Sequence, residues 1–205
     1  MKSLLLILSF CVTVFPFTRI EFAQNSAPPP TSSVQASSSK PKHGGKIEAK
    51  YDGFAGETII ALKKMRITCE AFKGMQSALR DACVSFAVSL HCPGQQLDYV
   101  RYAKLSLIVE TKDWQKRHPL DERDLTIVAD GVRFRLGTMS LVGQDVENDR
   151  LVDVMREVLE VTVPYKTFLS IARAETVGMR LGKTEFELKD KNMEALRDLA
   201  SRIKQ

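Results

Sequence analysis

Residues 125–136, Leu-Thr-Ile-Val-Ala-Asp-Gly-Val-Arg-Phe-Arg-Leu, are two alternating stretches joined by Asp130-Gly131. Asp-Gly suits a two-residue type I′ turn, in which both central residues need positive φ. Folded on that turn, Ala129 faces Val132, Ile127 faces Phe134 and Leu125 faces Leu136, and the six side chains make one apolar face. Thr126, Val128, Arg133 and Arg135 fall on the other. A slip of one residue would exchange the two faces, so burial of one of them fixes the register. The chain is thereby committed to antiparallel sheet with a dry side and a wet side.

A second hairpin is predicted over 176–188, turning at Gly182-Lys183. It pairs Leu181 with Thr184, Met179 with Phe186 and Val177 with Leu188 on the buried face, and brings Arg180 and Glu185 together on the exposed face. Further strands are expected over 57–68, 82–91, 103–111 and 156–163. A short helix is expected after Pro164, where Tyr165, Phe168, Leu169 and Ala172 form one stripe. A final helix is expected with Asp190 as its cap and Met193, Leu196, Leu199, Ala200 and Ile203 as its apolar side. Residues 74–81 are a candidate helical turn. The expected fold class is α+β, a mostly antiparallel sheet with hairpins at 125–136 and 176–188 and two short C-terminal helices covering one face or end. Residues 48–205 are the right size for a single domain.

The N-terminus is of another character. Lys2 precedes an apolar run of 14 residues, Leu4 to Phe17, which has the charge-then-hydrophobic order of a secretory signal. It falls short of the ~20 residues of a spanning helix. Cleavage after Ala23 is expected, with an uncleaved N-terminal anchor as the alternative; Phe10 before Cys11 disfavours lipidation. Residues 24–47, rich in Pro, Ser, Ala, Gly and Lys, read as a disordered linker that includes His43, because they offer too little apolar surface to offset the entropy of ordering.

Net charge is +5, but residues 1–47 hold five basic residues (Lys2, Arg19, Lys40, Lys42, Lys46) against Glu21 alone. Taking these from the 30 basic and 25 acidic residues leaves 25 and 24 for residues 48–205, a nearly neutral domain. With no helix-turn-helix, zinc-finger or aromatic RNA-binding signature, nucleic acid is excluded as a partner.

Beyond Cys11 the chain has Cys69, Cys83 and Cys92. An extended strand over 83–91 holds Cys83 and Cys92 roughly 30 Å apart, so those two do not pair. If the strand ending near Cys69 turns back into the next one, Cys69 and Cys83 approach each other and a disulfide between them is expected; the alternative is three thiols without a role.

The segments YDGFAGETIIAL with KKMRIT, DLTIVADGVRFRLG and VPYKTFLSIARAETVGMRLGKTEFELKDKNMEALRDLA together resemble a group of exported bacterial proteins of unassigned function. The likeness covers most of residues 50–202. It implies a bacterial, envelope-associated protein in the periplasm or at the cell exterior, and it transfers no catalytic residue.

Catalytic constellations are not legible. His43 falls in the linker, His91 ends a strand beside Cys92, and His118 precedes Pro119 in a charged loop; paired metal-ligand spacings, phosphate loops and nucleophile elbows do not occur. No cofactor is expected. Candidate binding residues are Trp114 and Arg117, in the loop over 111–124, and the Arg133–Arg135 pair, which share a face and could receive an anion. The alternatives are that Trp114 covers a sheet edge and that the two arginines are simply the wet side of a hairpin. The leading expectation is a non-enzymatic exported envelope protein that meets another protein or envelope component. A membrane-tethered domain on an uncleaved anchor and a cryptic hydrolase or small-ligand protein are the alternatives, and only the first of these involves the membrane.

Overall fold

Period-two alternation of apolar and polar residues runs through most of the domain, and an antiparallel ladder is the structure that sorts such a pattern into two faces. A computed structural model describes residues 43–69, 82–112, 123–149 and 152–203. The elements are β1 (Ile47–Asp52), β2 (Glu57–Thr68), β3 (Ala82–Pro93), β4 (Tyr102–Lys112), β5 (Asp124–Ala129), β6 (Val132–Thr138), β7 (Ser140–Asp149), β8 (Val152–Val163), α1 (Tyr165–Arg173), β9 (Val177–Leu181), β10 (Thr184–Glu187) and α2 (Asp190–Ser201). They form a six-stranded sheet in the order β1-β2-β3-β4-β8-β7 and a four-stranded sheet in the order β10-β9-β5-β6. Every pairing is antiparallel. The fold is sheet-dominated α+β.

The core lies between the two sheets and the helices. Leu62, Leu90, Leu107 and Leu159 come from the larger sheet, Leu125, Ile127 and Leu181 from the smaller, and Phe168, Met193 and Leu196 from the helices. Burying each such side chain contributes about 1.5–3 kcal/mol. In α1, Phe168, Ile171 and Ala172 are buried and Pro164 occupies the N-cap, where its missing N–H costs nothing. In α2 the cap is Lys189, not Asp190 as the sequence suggested. Asp190 stands in the first turn, where its charge favours the helix dipole. The Asn192 side chain accepts the Lys189 N–H at 3.0 Å and donates to the Arg66 carbonyl at 3.3 Å, tying the helix start to β2.

The Asp130-Gly131 hairpin forms with φ of 46° and 81°, as a type I′ turn requires. Ala129 pairs with Val132 and Ile127 with Phe134, but a bulge between Leu125 and Thr126 gives Leu125 the partner Gly137 instead of Leu136. Nor is the apolar face wholly buried, since Val132 is 57% exposed at the edge strand. The second hairpin has the expected pairs, Leu181 with Thr184 and Met179 with Phe186, and Leu188 N–H bonds to the Val177 carbonyl. Asp130 does more than turn the chain. Its carboxylate accepts the N–H groups of Thr176 at 2.9 Å and Glu175 at 3.0 Å, which hold its pKa below the usual aspartate range and lock the hairpin tip to the start of β9.

Two strands are additions to the expected set, β1 and β7, and β8 begins at Val152 instead of 156. Cys69 and Cys83 are joined by a disulfide, and Cys92 is a free, buried thiol whose pKa burial raises. The N-terminal 42 residues, the 74–81 segment and the loop with Trp114 and Arg117 lie outside the described residues.

Residue 43 is already part of the folded unit and not of the linker. The His43 ring is buried; its Nδ1 accepts the Gly45 N–H at 3.0 Å, so Nε2 carries the proton and donates to Asp198 on α2 at 3.1 Å. A Cβ on Gly45 would lie 2.7 Å from Met65 Sδ and 2.9 Å from His43 Nδ1, so this approach needs glycine. Burial pushes the Asp198 carboxyl up, but hydrogen bonds from Arg202 and His43 outweigh it and hold the pKa below the usual range.

Gly131→Val should destabilise the domain by ~1 kcal/mol or more in urea unfolding, because a β-branched residue resists positive φ. Reduction of the Cys69–Cys83 bridge, which spans 14 positions, should cost about 3 kcal/mol in the same assay. For Asp198 the lowered folded pKa means its contribution is present above the unfolded value and lost as pH falls through the folded one. Wild-type stability should therefore decline below about pH 4 more steeply than that of Asp198→Asn, and parallel pH profiles would contradict this.

Candidate functional site

The apolar residues of the smaller sheet point to the core, so alternation sends every second residue to solvent. Strand registers fix which residues then stand side by side. Glu187, Gly178, Val128 and Arg133 form one row across β10, β9, β5 and β6, and Glu185, Arg180, Thr126 and Arg135 form the next. Glu185, Glu187, Arg180, Arg133 and Arg135 are exposed, whereas Gly178, Val128 and Thr126 are half-buried. The face therefore has an acidic column on β10, a basic column on β6, Arg180 between them, and a low floor where Gly178 has no side chain. Over that floor runs a groove of about 420 Å³ lined by Thr126, Val128, Arg133, Gly178, Arg180, Glu185 and Glu187, with Met179 and Phe186. A second hollow of about 840 Å³ shares Val128, Gly178, Glu185, Phe186 and Glu187 and continues past Leu188 to Ile67 and Thr68 at the end of β2.

Arg133, singled out from the sequence, thus lines a real concavity, and Arg135 stands beside it in the next row of β6, outside the lining. Neither they nor Arg180 take part in any ion pair among the described residues. Arg180 and Glu185 are register partners without forming a bridge within 4.0 Å. Guanidinium groups left unpaired beside a concave surface are suited to carboxylate or phosphate ligands, which they grip through two parallel N–H donors. Sequence reasoning missed Arg180, Gly178 and the two glutamates. The signal was present in the second hairpin's register, but which hairpin strands become neighbours, β5 with β9, is a tertiary fact.

A second cluster was not anticipated from the sequence, which showed His91 only as the end of a strand. On the outer side of the larger sheet, His91 Nδ1 lies 3.0 Å from Glu57 Oε1 and its Nε2 lies 3.1 Å from Ser89 Oγ, while the ring stacks on Tyr102 at 4.5 Å between centroids. The order of atoms is that of nucleophile, base and carboxylate. Ser89, however, sits in the middle of β3, paired with Ala61 on one side and Lys104 on the other. The backbone N–H groups around it are committed to the two ladders, so no pair of donors faces a developing oxyanion. The network does what its burial suggests: it orients a 5% exposed imidazole and fastens the end of β2 to β3. The pattern Ser-x-His, with side chains on one face of a strand, was the only trace of it in the sequence.

Among the described residues no three His, Cys, Asp or Glu side chains gather as metal ligands. Trp114 and Arg117 lie outside the described residues, so Arg133 and Arg135 are the sequence candidates that the structure places. No family model, curated protein or solved structure matches the chain.

Proposed function

We propose that the protein is an exported, non-enzymatic binding module of the bacterial envelope that holds an anionic component on the outward face of its smaller sheet. The observation that carries the reading is a groove floored by Gly178 and Val128 and lined by Arg133 and Arg180, with Arg135 beside it in the next row of β6, all three guanidinium groups being without ion-pair partners among the described residues. Export is supported by Lys2 followed by the apolar run from Leu4 to Phe17, and places the module in the periplasm or at the cell exterior. A ligand with carboxylates spaced along it would meet β6 and β9 together, and Coulomb attraction to exposed arginines would make its capture sensitive to salt.

The test uses a labelled hexaglutamate blocked at both ends, so that side-chain carboxylates are its only charges. Fluorescence anisotropy should show binding that weakens as salt rises and falls at least tenfold in Arg133→Glu/Arg135→Glu, with an unchanged melting temperature showing that the fold is intact. Equal affinity for wild type and variant would overturn the assignment of this face.

A further inference from the structure

Across these two rows of the smaller sheet the edge strands carry charges of opposite sign, with Arg180 between them. Glu185 and Glu187 occupy β10 at one edge, and Arg133 and Arg135 occupy β6 at the other. Three strand spacings separate the two columns, about 14 Å. Between them lie Gly178 and Val128 in one row and Arg180 and Thr126 in the other, which line the groove floor. A ligand lying across the strands along the Gly178–Val128 row therefore meets negative charge at one end, a small and partly apolar middle, and positive charge at the other.

An extended polypeptide advances 3.3–3.6 Å per residue, so about four residues bridge 14 Å. A free peptide of that length carries an ammonium group at one end and a carboxylate at the other, which matches the sorted columns in sign and in separation. We infer that the groove is a site for short free peptides of about four residues, held crosswise to the strands with the α-amino group at Glu185 and Glu187 and the α-carboxylate at Arg133 and Arg135. This rests on the reading of the face as a binding surface and goes beyond it by naming the ligand class. Arg180 lies under the middle of such a peptide, where its N–H groups are available to peptide carbonyls. The Thr126 hydroxyl stands beside it, and Val128 offers contact to a small side chain. A longer chain would have to carry one terminus past a column and lose that pairing, so the arrangement selects by length as well as by charge.

Calorimetric titration of the purified protein with tetra-alanine tests this directly. Binding is expected, weakened at least tenfold by acetylating the amine and at least tenfold by amidating the carboxylate, and weaker for dialanine and octa-alanine than for the tetramer. Glu185→Lys/Glu187→Lys should abolish the sensitivity to acetylation while keeping that to amidation, and Arg133→Glu/Arg135→Glu should do the reverse; melting temperatures report that both variants fold. Equal affinity for blocked and free peptides, or no heat at millimolar tetra-alanine, would overturn the peptide assignment. If tetra-alanine fails while blocked hexaglutamate still depends on Arg133 and Arg135, the binding face stands and the peptide reading falls. If both probes fail, the proposed function falls with it.

Discussion

The pairing of β4 with β8 is the contact on which the rest of the structure depends. It runs in one unbroken register from Ala103 opposite Val163 to Lys112 opposite Val154, and it closes a chain segment that contains β5, β6 and β7. Leu107 and Leu159 meet at its centre, both fully buried. Closing so long a loop costs conformational entropy that a single contact does not offset; a ladder this long with an apolar inner side does. Once it is made, β7 extends the larger sheet beside β8, while the Asp130-Gly131 hairpin is excluded from that sheet and must find other partners.

Those partners arrive last in the sequence. After β8 the chain turns through Pro164 into α1 and returns as β9, which pairs with β5 from Leu125 opposite Leu181 to Ala129 opposite Val177. The inner residues of both strands are buried, so their outer residues have no choice of side. The charged columns are a consequence of that sealing: Leu125, Ile127, Ala129, Val177, Met179 and Leu181 face the core, and this obliges Thr126, Val128, Gly178 and Arg180 to face out. Asp130 reinforces the junction at the hairpin tip through its bonds to the start of β9. Structure and candidate function are thus coupled through alternation alone, without a strained or specialised loop.

Much of this was legible in the sequence wherever a strand is half-buried and bounded by strong turn residues. Both hairpins, the four longer strands and both helices have clear periodicity, and β2 runs over the expected residues. What was missed has physical reasons. β1 alternates, as Ile47, Ala49 and Tyr51 show, but it follows a Pro, Ser and Lys-rich stretch whose composition concealed where folding begins. Strand β7, Ser-Leu-Val-Gly-Gln-Asp-Val-Glu-Asn-Asp, is an edge strand whose irregular register beside Gly143 breaks the alternation. The bulge at Leu125 shifted its partner by one because a bulge leaves no reliable mark in a single sequence. The site was half legible: Arg133 and Arg135 share a face by local register, but their company of Arg180, Glu185 and Glu187 is set by the long-range β5–β9 pairing. His43 shows the converse case, a residue in linker-like surroundings that is buried through a partner 155 positions away.

On the function proposed above, the outward face of the smaller sheet is where this protein meets its ligand. Backbone amide chemical-shift mapping during titration with tetra-alanine tests it most directly, because it reports location independently of affinity. The largest changes are expected on Thr126, Val128, Gly178 and Arg180 and on the flanking residues of β6 and β10. Changes confined to the β7 edge or to the exposed turn at Phe54, with the smaller sheet silent, would contradict it.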